Sequence, residues 1–110
     1  MASALSQALE DVDDALHQKV RLAIMSVLVG VGERTFLQMR EALSVSDGNL
    51  STHLTTLERK GFVDIKKSFQ GKKPVTSILA TDFGKKAFEE YLSALERLVA
   101  EARSSQDANS

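Results

Sequence analysis

Cysteine is absent from the 110 residues, so disulfides, thiolate zinc sites and thiol redox sensors are all excluded. No apolar run approaches the roughly 18 residues of a membrane span, which excludes a transmembrane segment. The N-terminus (Met1–Leu9) places no basic stretch before a hydrophobic one, so no secretory signal is expected. These absences agree with a cytoplasmic location. No phosphate-binding glycine loop, Ser–His–Asp order or metal-assisted nucleophile can be assembled, which argues against an enzyme and against a cofactor. Asp11, Asp13 and Asp14 are clustered acids, but at an exposed helix start they favour the helix dipole without any catalytic role.

What is present suffices for one packed core: 43% of residues are apolar and an ordinary 26% are charged. The length fits a single domain, expected over residues 1–103. The net charge of −1 hides an asymmetry. Glu10, Asp11, Asp13 and Asp14 stand in the first 16 residues with no base among them, and residues 81–110 are acidic again. Between them, Lys66, Lys67, Lys72 and Lys73 face the single acid Asp64 within residues 61–80. A basic middle between acidic ends can form a polyanion-binding face, although a basic segment is more often a solvated surface.

From about Ser6 to Leu28, apolar residues recur every three to four positions, at Leu9, Val12, Leu16, Val20, Ile24 and Leu28. That stripe reads as one amphipathic helix or, if the aspartates mark a second start, as two. Gly30 and Gly32 end it. Thr35 can cap a short helix through Leu43 that buries Phe36, Met39 and Leu43. After the turn Ser44-Val45-Ser46, either Ser46 or Asp47 can cap a helix running to Lys60, with Gly61 at the left-handed C-cap position. Phe62–Ile65 alternates as a strand and Val75–Leu79 is its partner, around a polar loop from Lys66 to Pro74. Thr81-Asp82 caps a last helix with an apolar stripe of Phe88, Tyr91 or Leu92, Leu95, Leu98 or Val99, and Ala102. Residues 104–110 hold no core-forming side chain and are expected to be a disordered tail.

Helices, a tight turn before the third, a hairpin and a final helix make the order of a winged helix-turn-helix, mainly α with a small β-hairpin (α+β). The wing is expected over about residues 62–79. The third helix strengthens this reading. With Leu50 at the origin and about 100° per residue, Leu54 falls at about 40° and Leu57 at about −20°, a narrow stripe for the core. Gly48, Thr52, Thr55 and Arg59 fall opposite, flanked by Asn49, Ser51 and Thr56. A helix needing only solubility would more often show Glu and Lys there, which favour helix more than Ser and Thr. Short hydrogen-bonding side chains instead permit close approach to a groove wall and reach base edges or phosphates. The blander reading is a solvated face that happens to be threonine-rich.

The run Ser46 to Val63 resembles the recognition helix and first wing strand of ArsR/MarR-like winged-helix transcription regulators, through Ser51-x-His53-Leu54-x-x-Leu57-x-x-x-Gly61. Arg21-x-x-Ile24-x-x-x-Leu28 is similar to the first core helix of that group, and Thr81-x-x-Gly84-x-x-Ala87 to the helix after its wing. The resemblance covers roughly residues 16–100 and is closest to the small stand-alone regulators. It implies a homodimeric, sequence-specific binder of double-stranded DNA, usually a repressor, with this helix in the major groove. The positions matched to DNA contact are Asn49, Ser51, Thr52, Thr55 and, toward phosphate, Arg59. The cysteine ligands of the metal-sensing branch are absent, and the last helix contains no histidine for its alternative site, so no metal is expected. Nothing in the residues specifies a small-molecule effector.

His53 sits at the edge of the buried stripe, where its ring can pack while a nitrogen reaches a phosphate or a backbone group. His17 lies four residues after Asp13, and one such pair is far short of a metal site. Lys66, Lys67, Lys72 and Lys73 are expected to contact phosphates from the wing, although edge lysines also block strand aggregation. Phe69 can fold back on the hairpin or touch the minor-groove wall. Leu5, Leu9 and Val12 at one end and Leu92, Leu95, Leu98 and Val99 at the other over-extend two amphipathic helices on a small domain, which suggests dimerisation across a two-fold axis. The alternative is that the two ends pack on each other. Because fold alone does not establish function, a winged-helix protein-interaction or scaffolding module without DNA binding is the second reading.

Overall fold

The computed structural model describes residues 3–108; Met1, Ala2 and the last two tail residues, Asn109 and Ser110, lie outside the described residues. The N-terminal stripe is two helices. Helix α1 (Ala4–Glu10) is capped by the Ser3 hydroxyl, which accepts from the Ser6 amide at 3.0 Å. Asp13 then holds a turn, its carboxylate accepting from the amides of Ala15 at 2.7 Å and Leu16 at 3.2 Å. A carboxylate that satisfies backbone donors locally competes with helix continuation. Helix α2 (Lys19–Gly30) restarts behind Gln18, whose side-chain oxygen accepts from Arg21 N. The aspartates therefore mark the break, and Gln18 is the cap.

Strand β1 (Arg34–Thr35) is followed directly by α3 (Phe36–Leu43), which Thr35 and Gln38 start with a reciprocal capping box. Ser44 closes α3 in the left-handed region at φ 53°, and Ser46, rather than Asp47, caps α4 (Asp47–Arg59) by accepting from Asn49 N at 3.1 Å. Gly61 turns the chain out of α4 at φ +76°, a conformation that costs glycine little. Strands β2 (Val63–Gln70) and β3 (Lys73–Ala80) form the hairpin, and β1 adds to the far edge of β3, giving an antiparallel sheet of order β1-β3-β2. The core gathers Leu50, Leu54 and Leu57 of α4 against Ile24, Met25 and Leu28 of α2, Met39 of α3, Ile78 of β3, and Phe88 and Tyr91 of α5 (Asp82–Ala108). Phe36 and Leu43 are half-buried at its margin rather than fully covered.

Two boundaries differ from the sequence reading. The loop expected from Lys66 to Pro74 is strand almost throughout, with pairs continuing through Phe69↔Pro74 to Gln70↔Lys73. Only Gly71 and Lys72 remain as the turn, and positive φ at Gly71 alone is the signature of a type II′ hairpin turn. This part of the hairpin projects beyond the core, so both faces are wet and no apolar alternation marks it. The tail also differs: α5 continues through Ala108, so residues 104–108 are helical rather than disordered. A 27-residue helix spans about 40 Å, which gives a chain of this size its long dimension of 63 Å.

Thr81 and Gly84 fix where α5 leaves the sheet. The Thr81 hydroxyl donates to the carbonyl of Gly61 at 2.6 Å and accepts from the amide of Gly84 at 2.9 Å, tying the end of α4 to the start of α5. A Cβ on Gly84 would lie 2.8 Å from the Cα and carbonyl carbon of Phe62, and nearer still to its oxygen. Only glycine admits that approach.

Candidate nucleic-acid interface

Helix α4 divides as its leucine spacing requires. Leu50, Leu54 and Leu57 are buried, while Asn49, Ser51, Thr52, Thr55 and Arg59 are all exposed. The outward face carries no bulky apolar group and one formal charge near its C-terminal end. Its threonine hydroxyls are already engaged: Thr52 donates to Gly48 O at 2.9 Å, Thr55 to Ser51 O at 2.9 Å, and Thr56 to Thr52 O at 3.3 Å. At the helix start, Arg40 of α3 pairs with Asp47 at 2.8 Å across the turn, and that carboxylate raises the Arg40 pKa.

Beneath the edge of this face, Arg21 of α2 joins three segments. Its Nε–H donates to Ala15 O at 2.5 Å in the α1–α2 connection, and its Nη1 donates to His53 Nδ1 at 3.0 Å on α4. A guanidinium has only donors, so Nδ1 must be the bare nitrogen and the neutral ring carries its proton on Nε2. Burial first, and the neighbouring Arg21 charge second, hold the His53 pKa below its ordinary value. His53 is therefore a neutral, packed residue that braces the helix. Sequence reasoning had both motifs but not their connection, because nothing local links Arg21 to a residue 32 positions away.

In the same connection His17 Nδ1 lies 2.7 Å from the Tyr91 hydroxyl of α5, so its ring is partnered by a core tyrosine, while its backbone amide donates to the Asp13 carbonyl at 2.8 Å. Among the described residues no group of three His, Cys, Asp or Glu is placed to hold a metal.

The wing lysines are exposed but differently disposed than a loop would place them. Lys66 and Lys67 are within β2, Lys73 opens β3, and Lys72 occupies the turn. Cross-strand partners share a face, and successive residues alternate. Lys66, Gln70 and Lys73 thus lie on one side, and Lys67, Phe69 and Pro74 on the other, which continues the core face of Ile65 and Ile78. Phe69 does not fold back; it is 75% exposed, because the hairpin outruns the core that would cover it.

The terminal helices meet within the single chain. Ala8 of α1 is buried against the body, and Arg97 of α5 donates to Asp11 at 2.8 Å, a bond that holds the Asp11 pKa below its usual range. Val12, Leu92 and Leu95 are half-buried against the core, and Leu98 is half-buried too. Leu5, Leu9 and Val99 remain 52%, 66% and 50% exposed. A shallow groove of about 450 Å³ runs along α5 between Leu92, Leu95 and Val99 on its apolar side and Glu96 and Arg103 at its rim.

The winged helix DNA-binding domain family matches residues 20–99, which includes every element from α2 into α5. A protein of Methanocaldococcus jannaschii, itself described as uncharacterized, is 38% identical over 79 residues, covering 72% of this chain and 86% of its own length. Among solved structures, a transcriptional regulator homologue protein from Pyrococcus horikoshii superposes with a TM-score of 0.82 at 31% identity, covering 87% of this chain and 97% of that one. HlyU from Vibrio cholerae superposes at 0.57 with 25% identity, covering 76% and 87%.

Proposed function

This chain belongs to the winged helix DNA-binding domain family, and on that premise we propose that it is a transcription regulator that binds specific duplex sequences as a homodimer and acts as a repressor in the cytoplasm. The observation that carries the reading is the division of α4. Three leucines anchor it, and a short, polar, nearly uncharged face is left exposed on the helix that resembles a recognition helix. Asn49, Ser51, Thr52 and Thr55 then meet base edges in the major groove, with Arg59 toward phosphate. Lys66, Lys67, Lys72 and Lys73 supply sequence-blind phosphate contacts from both faces and the turn of the hairpin. The likeness to the Pyrococcus horikoshii transcriptional regulator homologue supports the same reading.

The dimer rests on the outer apolar surface of Leu5, Leu9 and Val99 and the groove along α5, which the intramolecular packing of α1 on α5 leaves uncovered. Exposed apolar area of this kind on a small protein marks an interaction surface. Two copies would present two recognition helices to half-sites about one helical turn apart.

Electrophoretic mobility shift with random and selected duplexes across a salt series tests this function. Specific binding should exceed non-specific binding by about 10³-fold or more, and both should weaken steeply with salt. Thr52→Ala with Thr55→Ala should leave the fold intact and lower specific affinity by about 1–3 kcal/mol for each base pair no longer read, with non-specific binding retained. No duplex binding even at low salt would favour the scaffolding reading.

A further inference from the structure

The outer threonines of α4 are held in a state that limits what they can say to a base pair. A threonine hydroxyl has one proton and two lone pairs. In Thr52 and Thr55 that proton is committed to the helix's own carbonyls, at Gly48 and Ser51. Both side chains are nevertheless exposed. Their outward chemistry is a methyl group and an oxygen that can accept but not donate.

Major-groove edges differ in how they answer such a surface. Guanine offers only acceptors there, N7 and O6, which an accepting oxygen repels. Cytosine offers an amino donor but no methyl. An A·T pair offers both complements together: the adenine N6 amino group for the oxygen and the thymine 5-methyl for the side-chain methyl. We propose that Thr52 and Thr55 read A·T pairs, with the threonine methyl packed on the thymine 5-methyl and the hydroxyl proton kept inside the helix. Resting on the DNA-binding reading above, this adds the base identity at two positions of each half-site. The two residues are three apart, hence neighbours on one helix face, and so address adjacent positions of the groove.

The test uses the full chain and duplexes selected by it from a random pool. Each thymine in the selected half-site is replaced singly by uracil, which removes only the 5-methyl. Binding is measured for wild type, Thr52→Ser and Thr55→Ser, which keep the hydroxyl and remove the methyl. Circular dichroism melting of each variant should match wild type. One buried methyl corresponds to about fourfold in affinity. Uracil at a contacted position should therefore weaken wild type about fourfold, each serine variant should weaken by about the same, and the two changes together should cost no more than either alone. That non-additivity is the signature of direct contact.

Selected half-sites with G·C pairs at the positions protected by these threonines would overturn the inference. So would uracil costs that are absent, or that are equal in wild type and in the serine variants. In those cases specific duplex binding persists and the DNA-binding reading stands. Absence of any preferred duplex would overturn both.

Discussion

Helices α4 and α5 share one core, yet the surfaces they leave outside it are opposite in kind. Outside its three buried leucines, α4 shows Asn49, Ser51, Thr52 and Thr55, residues that are small, polar and poorer helix formers than Lys or Glu. Outside Gly84, Phe88, Tyr91 and Ala94, α5 shows Leu92, Leu95 and Val99 in various degrees of exposure. One helix gives up helix propensity to keep its outer face low and polar. The other keeps an apolar strip of Leu92, Leu95 and Val99 beside exposed charges such as Glu89, Glu96 and Arg97. The leftover face, more than the buried one, is what the proposed function uses to distinguish the partners: a groove of nucleic acid for α4, a second copy of the chain for α5.

Breaking the inner faces should have the largest effect, and the same for both helices. Leu54→Ala should cost roughly 2–5 kcal/mol of stability through the cavity it leaves. Gly84→Ala should be at least as damaging, because its methyl would collide with the Phe62 backbone. Urea denaturation reads both, and an unchanged midpoint for Gly84→Ala would contradict the close packing of α5 on the start of β2.

The exposed apolar positions of α1 and α5 are broken separately by Leu9→Glu with Val99→Glu, two positions at least half exposed in the single chain. The variant should stay folded but sediment as a monomer at micromolar concentration, where wild type is expected to sediment as a dimer. Affinity for a two-half-site duplex should then fall by about 10²-fold or more as the avidity of the second half-site disappears. A wild type that sediments as a monomer would contradict the proposed dimer.

On the DNA side, Lys72→Ala with Lys73→Ala separates reading from holding. If both lysines contact phosphate as proposed, their removal should lower the slope of log affinity against log salt by about 1.8, alike for all duplexes. A changed sequence preference with an intact slope would assign these lysines to bases.

The smallest effect expected is a pH dependence. His53 binds its proton less readily folded than unfolded, so the unfolded chain holds more protons just below the ordinary histidine pKa. Its contribution to stability should be complete above about pH 6.5 and decline as pH falls toward the lowered folded value. His53→Gln, which keeps an acceptor for Arg21 but cannot titrate, should flatten the fall in melting temperature between about pH 7 and 5. An equal fall in both proteins would show that His53 titrates alike in the folded and unfolded chains, contrary to the lowered folded value.

Helix α4 was legible in the sequence because three independent signals agree there: the leucine spacing, Ser46 at the cap and Gly61 after the end. Less of the wing was legible, since Lys66 to Lys73 pair through backbone while both faces meet solvent, and polar strands carry no alternation. Strand β1 is two residues long and exists only because β3 offers an edge. Residues 104–108 lack core-forming side chains yet continue α5, because a helix already nucleated propagates with one backbone hydrogen bond gained per residue fixed. The links from Arg21 to His53, His17 to Tyr91 and Thr81 to Gly61 span 32, 74 and 20 positions, and no local pattern announces them. Of the candidate interface, the exposure of Asn49, Ser51, Thr52 and Thr55 was legible from the leucine spacing of α4 alone; the committed hydroxyl protons of Thr52 and Thr55 emerged only with side-chain geometry.

A hydroxyl-radical footprint of wild-type protein on a selected duplex probes both leftover faces at once. Two symmetric protected half-sites are expected, with centres about 10 base pairs apart, the spacing of two recognition helices on one face of the duplex. A single protected half-site would contradict the role given to α5, and a duplex left unprotected at low salt would contradict the role given to α4.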